Sequence, residues 1–112
     1  MAAAIYHAAP NSVKDRQYLA ALALVESTFN YSVIGDGGNS VGAWQIQPKH
    51  WGYVAKHNPY QQACKALTIL KAYNYNLRKY NGGEYGWNNP MTAIYERKVN
   101  DQLKYLRSNN IG

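Results

Sequence analysis

One cysteine, one phenylalanine and six acidic residues are the scarcities of this 112-residue chain. A lone Cys64 excludes an intramolecular disulfide. With Ala63, Ala66 and Leu67 around it in a helical pattern, it reads as a buried structural thiol rather than a reactive one. His7, His50 and His57 fit no zinc spacing, and Cys64 adds no partner at a familiar interval, so no metal or cofactor is expected. No stretch approaches a membrane span. The segment Met1 to His7 lacks a basic start and a sustained apolar run, so no signal peptide is expected. A target outside the cytoplasm would then require delivery by another agent. Basic runs and basic–aromatic repeats are missing too, which argues against a dedicated nucleic-acid module.

What the chain does carry is a formal charge of +6, scattered in singles and in doublets such as Arg78-Lys79 and Arg97-Lys98. A basic surface of this kind draws polyanions, the acidic bacterial wall among them. Tyrosine is over-represented, with 11 against a single phenylalanine. Rings with a polar tip suit half-wet surfaces such as carbohydrate grooves, and equally suit the rim of a small core.

The length fits one domain. Residues 1–10 read as a loose arm ending at Pro10, and 109–112 as a frayed end. Between them, 11–108 form a single mainly α domain. A first helix is expected from about Ser12 to Phe29, capped by Asn11 or Ser12, with Val13, Leu19, Leu22, Val25 and Phe29 along its stripe. The glycine cluster Gly35-Asp36-Gly37-Gly38 predicts a turn, with a short hairpin or lobe around it. Pro48 opens a short helix reaching about Lys56. A long helix follows from Tyr60 to Tyr80, stopped by Asn81-Gly82-Gly83. Asn89 as cap and Pro90 as first residue start the last helix, with Met91, Tyr95, Val99, Leu103 and Leu106 facing inward.

The six carboxylates are Asp15, Glu26, Asp36, Glu84, Glu96 and Asp101. Asp15 and Glu26 share one helix and stand roughly 16 Å apart, too far to flank one glycosidic bond. Glu96 and Asp101 fall in a charged stretch. Asp36 and Glu84 lie in loops that could reach a cleft. Only Glu26 sits on an apolar helix face. A carboxyl there resists ionisation and can donate a proton near neutral pH. Position alone equally allows a helix-end carboxylate bridged to a lysine.

Three segments, in order, carry a family resemblance. Ala23-Leu24-Val25-Glu26-Ser27-Thr28-Phe29-Asn30 resembles the Glu-Ser motif of soluble lytic transglycosylases. Gly42-Ala43-Trp44-Gln45-Ile46-Gln47-Pro48 is similar to their Gly-Leu-Met-Gln-Ile-x-Pro segment, and Tyr80-Asn81-Gly82-Gly83 to their Tyr-Asn-Ala-Gly. Tyr95, followed by Lys98-Val99, resembles the tyrosine of their closing helix. The insert Gly35 to Ser40 resembles variants common in phage-borne members.

The resemblance implies a lysozyme-like fold of two lobes with a cleft between them. It implies peptidoglycan glycan strands as partner and substrate, cut between N-acetylmuramic acid and N-acetylglucosamine to leave a 1,6-anhydro end. It makes Glu26 the catalytic residue. Gln45 would line the saccharide cleft, and Trp44 would stack on a sugar. Tyr80 would hold Glu26 or orient the muramoyl unit, with Tyr95 nearby. Ser27 would steady the helix end, and Asn81 would brace its loop beside the substrate. Where many members carry a serine, this chain has Gly35, and Ser40 is the candidate to replace its contact with an N-acetyl group. Two other readings stay open. One is a goose-type-lysozyme-like inverting hydrolase using Glu26 and Asp36. The other is a non-catalytic wall-binding or virion protein, with virion or lysis partners.

Overall fold

The computed structural model describes all residues, Met1–Gly112. Six helices and one two-stranded hairpin follow in the order α1 (Ala2–Ala8), α2 (Val13–Ser27), β1 (Ile34–Gly35), β2 (Ser40–Val41), α3 (Pro48–Trp51), α4 (Pro59–Ala72), α5 (Leu77–Gly86) and α6 (Pro90–Ser108). The mainly helical, lysozyme-like expectation agrees with this architecture. No helix is long and apolar enough to cross a membrane.

Capping explains most helix starts. Side chains of Ser12, Asn58, Asn76 and Asn89 accept backbone N–H groups at the starts of α2, α4, α5 and α6. Proline occupies the first position of α3, α4 and α6, where no N–H is needed. The core centres on α2, α4 and α6, where Leu19, Leu22, Ala66, Leu70, Val99 and Leu103 are essentially sealed from solvent. Each large aliphatic side chain buried this way stabilises the fold by about 1.5–3 kcal/mol.

Several expectations are corrected. Residues 2–8 form helix α1 rather than a loose arm. Ala4, Ile5 and Ala9 are buried, and α1 packs along α4. Cys64 is exposed, because the inward face of α4 is taken by Ala63, Ala66, Leu67 and Leu70. Val13, Phe29 and Met91 are exposed rather than core. The long helix predicted to run to Tyr80 is two helices. Asn74 and Tyr75 take left-handed backbone angles (φ 58° and 61°), and Asn76 caps a new start. That break lets the Tyr75 hydroxyl donate to Asp15 at 2.7 Å, while Lys14 lies over the Tyr75 ring. The Tyr80 to Gly83 segment therefore lies within α5, with a non-helical Gly83 (φ 77°) beyond Tyr80.

The hairpin is minimal. Ile34 pairs with Val41 and Gly35 with Ser40, around a 3-10 turn at Asp36–Gly38. It folds over one side of the α2 end, while α5 stands on the other. A cleft of about 560 Å³ lies between them.

Candidate active site

Glu26 lies in the last turn of α2. The helix stops one residue later, at Ser27, because Thr28 and Phe29 adopt φ of 54° and 62°, turning the chain away. The Ser27 hydroxyl donates to the Ala43 carbonyl at 2.8 Å and accepts the Asn30 N–H at 3.0 Å. The helix end is thereby tied to the Gly42–Ile46 turn.

The Glu26 carboxyl is raised from 4.5 to about 7. Burial is the main cause, and the charge of Asp36 adds to it. The Tyr95 hydroxyl, donating to Oε2 at 2.9 Å, opposes the rise by stabilising the ionised form. The negative end of the α2 dipole further disfavours charge at this position. Glu26 can therefore exist in either protonation state near neutral pH.

Glu26, Gln45, Tyr80, Asn81 and Ser40 come together around the cleft. Tyr95 reaches the same carboxyl from α6. Tyr80, expected to hold Glu26 or to orient the muramoyl unit, does not bond Glu26; its hydroxyl donates to the Trp44 carbonyl at 3.1 Å. Its phenol is pushed well above its ordinary range by burial and by the Glu26 charge, so it stays neutral. The Glu26 contact falls to Tyr95, whose phenol is raised for the same two reasons. Asn81 is exposed and lines the cleft.

Trp44 is a clear departure from expectation. It is fully buried, and its indole N–H donates to the Leu19 carbonyl at 2.8 Å. No sugar can stack on it. It anchors the turn to α2, and Tyr80 then leans on its carbonyl. Ser40 is also buried, and its hydroxyl donates to Asp36 Oδ2 at 2.5 Å.

Gln45 lies in the cleft wall with a left-handed backbone (φ 49°), its amide nitrogen donating to the Gly42 carbonyl at 2.9 Å. Its side-chain oxygen occupies the space beside Gly35, where an added Cβ would come within 2.2 Å of it. The absent serine at 35 is thus matched by the placement of Gln45.

Sequence reasoning missed the residue that shapes this turn. Gln62 in α4 is fully buried. Its carbonyl accepts the Ala43 N–H at 3.1 Å, and its amide nitrogen lies 2.9–3.0 Å from the carbonyls of Tyr31, Ala55 and Lys56. One side chain thus joins three irregular segments. A Cβ on Gly42 would strike it at 2.2 Å. Nothing local marks Gln62 as special, since glutamine is ordinary in a helix. The aromatic surfaces of the cleft were missed as well. Trp51 and Tyr73 pair edge-to-face at 5.4 Å in its wall, and the almost wholly exposed Tyr85 lies on the α5 lip. The usable signal for Trp51 was its place three residues after Pro48.

Asp36 and Glu84 also line the cleft, and Lys79 lies 3.6 Å from Glu84. No three His, Cys, Asp or Glu side chains converge as a metal-ligand group. The arrangement can therefore pass a proton from a buried carboxyl to a polar ligand held between amides and phenols.

A model of the transglycosylase SLT domain family matches residues 3–93. The chain belongs to that family. The match spans α1 to the start of α6 and includes Glu26 and the Gln45 and Tyr80 segments. No curated protein and no solved structure matches the chain. SLT membership carries a lytic-transglycosylase type of function, with peptidoglycan as the substrate and the bacterial cell wall as the place of action.

Proposed function

We propose that this chain cleaves the β-1,4 bond between N-acetylmuramic acid and N-acetylglucosamine and leaves a 1,6-anhydromuramoyl end. Glu26 gives its proton to the glycosidic oxygen, and the C1–O bond breaks. The carboxylate then takes the proton of the muramoyl C6 hydroxyl. The freed oxygen bonds to C1 and closes the anhydro ring. Glu26 ends as it began, so the cycle needs no second carboxylate and no water. A carboxyl balanced near pH 7 suits both transfers, because neither protonation state is strongly favoured over the other.

The observation that carries this reading is the raised, half-buried carboxyl at the junction of α2 and the cleft. Tyr95 keeps the carboxyl oriented. Gln45 and Asn81 offer amides to the N-acetyl and hydroxyl groups of the glycan. Trp51, Tyr73 and Tyr85 take over the sugar-facing role expected of Trp44. Ser40 acts through Asp36, fixing the turn that forms the cleft rim. The insert Gly35 to Ser40, by its resemblance to phage-borne members, supports a bacteriophage wall-degrading enzyme.

One observation favours a second reading. Asp36 lines the same cleft, and its charge is felt by Glu26. An inverting hydrolase needs a second carboxylate in the cleft to activate water, and Asp36 could take that part. Mass spectrometry of digested wall sacculi separates the two. Anhydro ends support the transglycosylase, whereas reducing ends would overturn it in favour of hydrolysis.

A further inference from the structure

Glu26 and Asn81 border two hollows. Besides the main cleft, a smaller one of about 270 Å³ opens on the α6 side of these residues. Val25, Met91 and Ile94 form its apolar wall, and Lys98 is its only cation. Met91 and Ile94 are exposed, so they contribute little to the core. Lys98 has no carboxylate partner: the ion pairs of the chain are Lys71–Asp15 and Lys79–Glu84. The one acid in this hollow, Glu26, is engaged by Tyr95. A small apolar trough next to an unpaired ammonium complements a short segment of small apolar side chains that carries a carboxylate.

We propose that this hollow seats the peptide branch of the muramoyl sugar, with its methyl side chains against Val25, Met91 and Ile94 and a peptide carboxylate against Lys98. The inference rests on the transglycosylase reading, which puts the muramoyl C1 at Glu26. The branch leaves that same sugar ring, so the hollow that shares the acid with the cleft lies within its reach. A bare N-acetylglucosamine has no branch to fill it. Lys98 then acts as a specificity residue, favouring strands that still carry their peptides.

The test compares kcat/KM on peptide-bearing glycan strands with that on the same strands stripped by an amidase. Wild type prefers the peptide-bearing strands. Lys98→Met lowers that preference about twofold to fivefold, the scale of an exposed ion pair. Lys104→Met, which removes the same charge from an exposed position further along α6, keeps the wild-type preference. Ile94→Glu, placing a like charge in the trough, also lowers it. A preference in Lys98→Met equal to that in Lys104→Met overturns the proposal. That result includes an equal loss on both strands, which gives Lys98 a role independent of the peptide; a loss confined to the stripped strands, whose lactyl carboxylate the amidase has freed, also overturns it. Failure of wild type to cleave either strand overturns the transglycosylase reading, and the proposal falls with it.

Discussion

Glu26→Gln should stabilise this protein above neutral pH and leave it little changed in acid. Folded Glu26 keeps its proton up to about pH 7, whereas the unfolded chain releases it near 4.5. Between these values the folded state binds more protons, so wild-type stability falls as pH rises. Below the lower value both states are protonated, and the term vanishes. Above the upper one it is fully expressed, at about 3 kcal/mol from a displacement of about 2.5 pH units. Glutamine has the same shape, does not titrate, and still accepts the Tyr95 hydroxyl. Relative to wild type, the variant should gain about 3 kcal/mol on going from pH 4 to pH 8. For a domain of this size that is roughly 10 °C in Tm. Paired thermal melts at the two pH values check it. An equal Tm difference at both would refute the claim that burial holds this carboxyl neutral.

Other outcomes follow from the same geometry. Glu26→Gln should lower wall-lytic kcat by at least about 100-fold, measured by turbidity loss of purified sacculi. Wild-type kcat/KM should fall as pH rises through about 7, because the donor proton is lost there. Tyr95→Phe removes the hydrogen bond that favours the ionised form, so the alkaline limb of that profile should move to higher pH. Asp36→Asn removes a charge that pushes Glu26 upward, so the limb should move to lower pH while anhydro product persists; complete loss of turnover would support the hydrolase instead. Gln62→Leu strands the buried Ala43 N–H and frees three loop carbonyls, so denaturant unfolding should show a loss of about 2–4 kcal/mol.

Legibility in the sequence followed the range of the forces involved. Helix α2, with Ser12 as its cap, and helix α6, with Asn89 and Pro90 at its start, are written in adjacent residues and were readable there. So was the turn at Gly35 to Gly38, where positive φ favours glycine. Helix α1 was not, because its alanines are held by α4, a contact no local pattern encodes. The break at Asn74–Tyr75 hid for a similar reason. The periodicity continues through it, and the Tyr75 hydroxyl bond to Asp15 links residues 60 positions apart. In the site, an acid on an apolar helix face was visible at Glu26. Which tyrosine meets it depends on how α5 and α6 pack, and Tyr95 rather than Tyr80 does so. Trp44 misled because a tryptophan next to a cleft motif suits a sugar platform. Only the fold reveals that its indole points to the Leu19 carbonyl.

The proton on Glu26 can be observed directly. Carbon-13 NMR of carboxyl-labelled glutamate, with Glu26→Gln to assign the resonance, would follow this one group across pH. A midpoint of about 7 is the value this structure requires, and a midpoint near the ordinary 4.5 would contradict it.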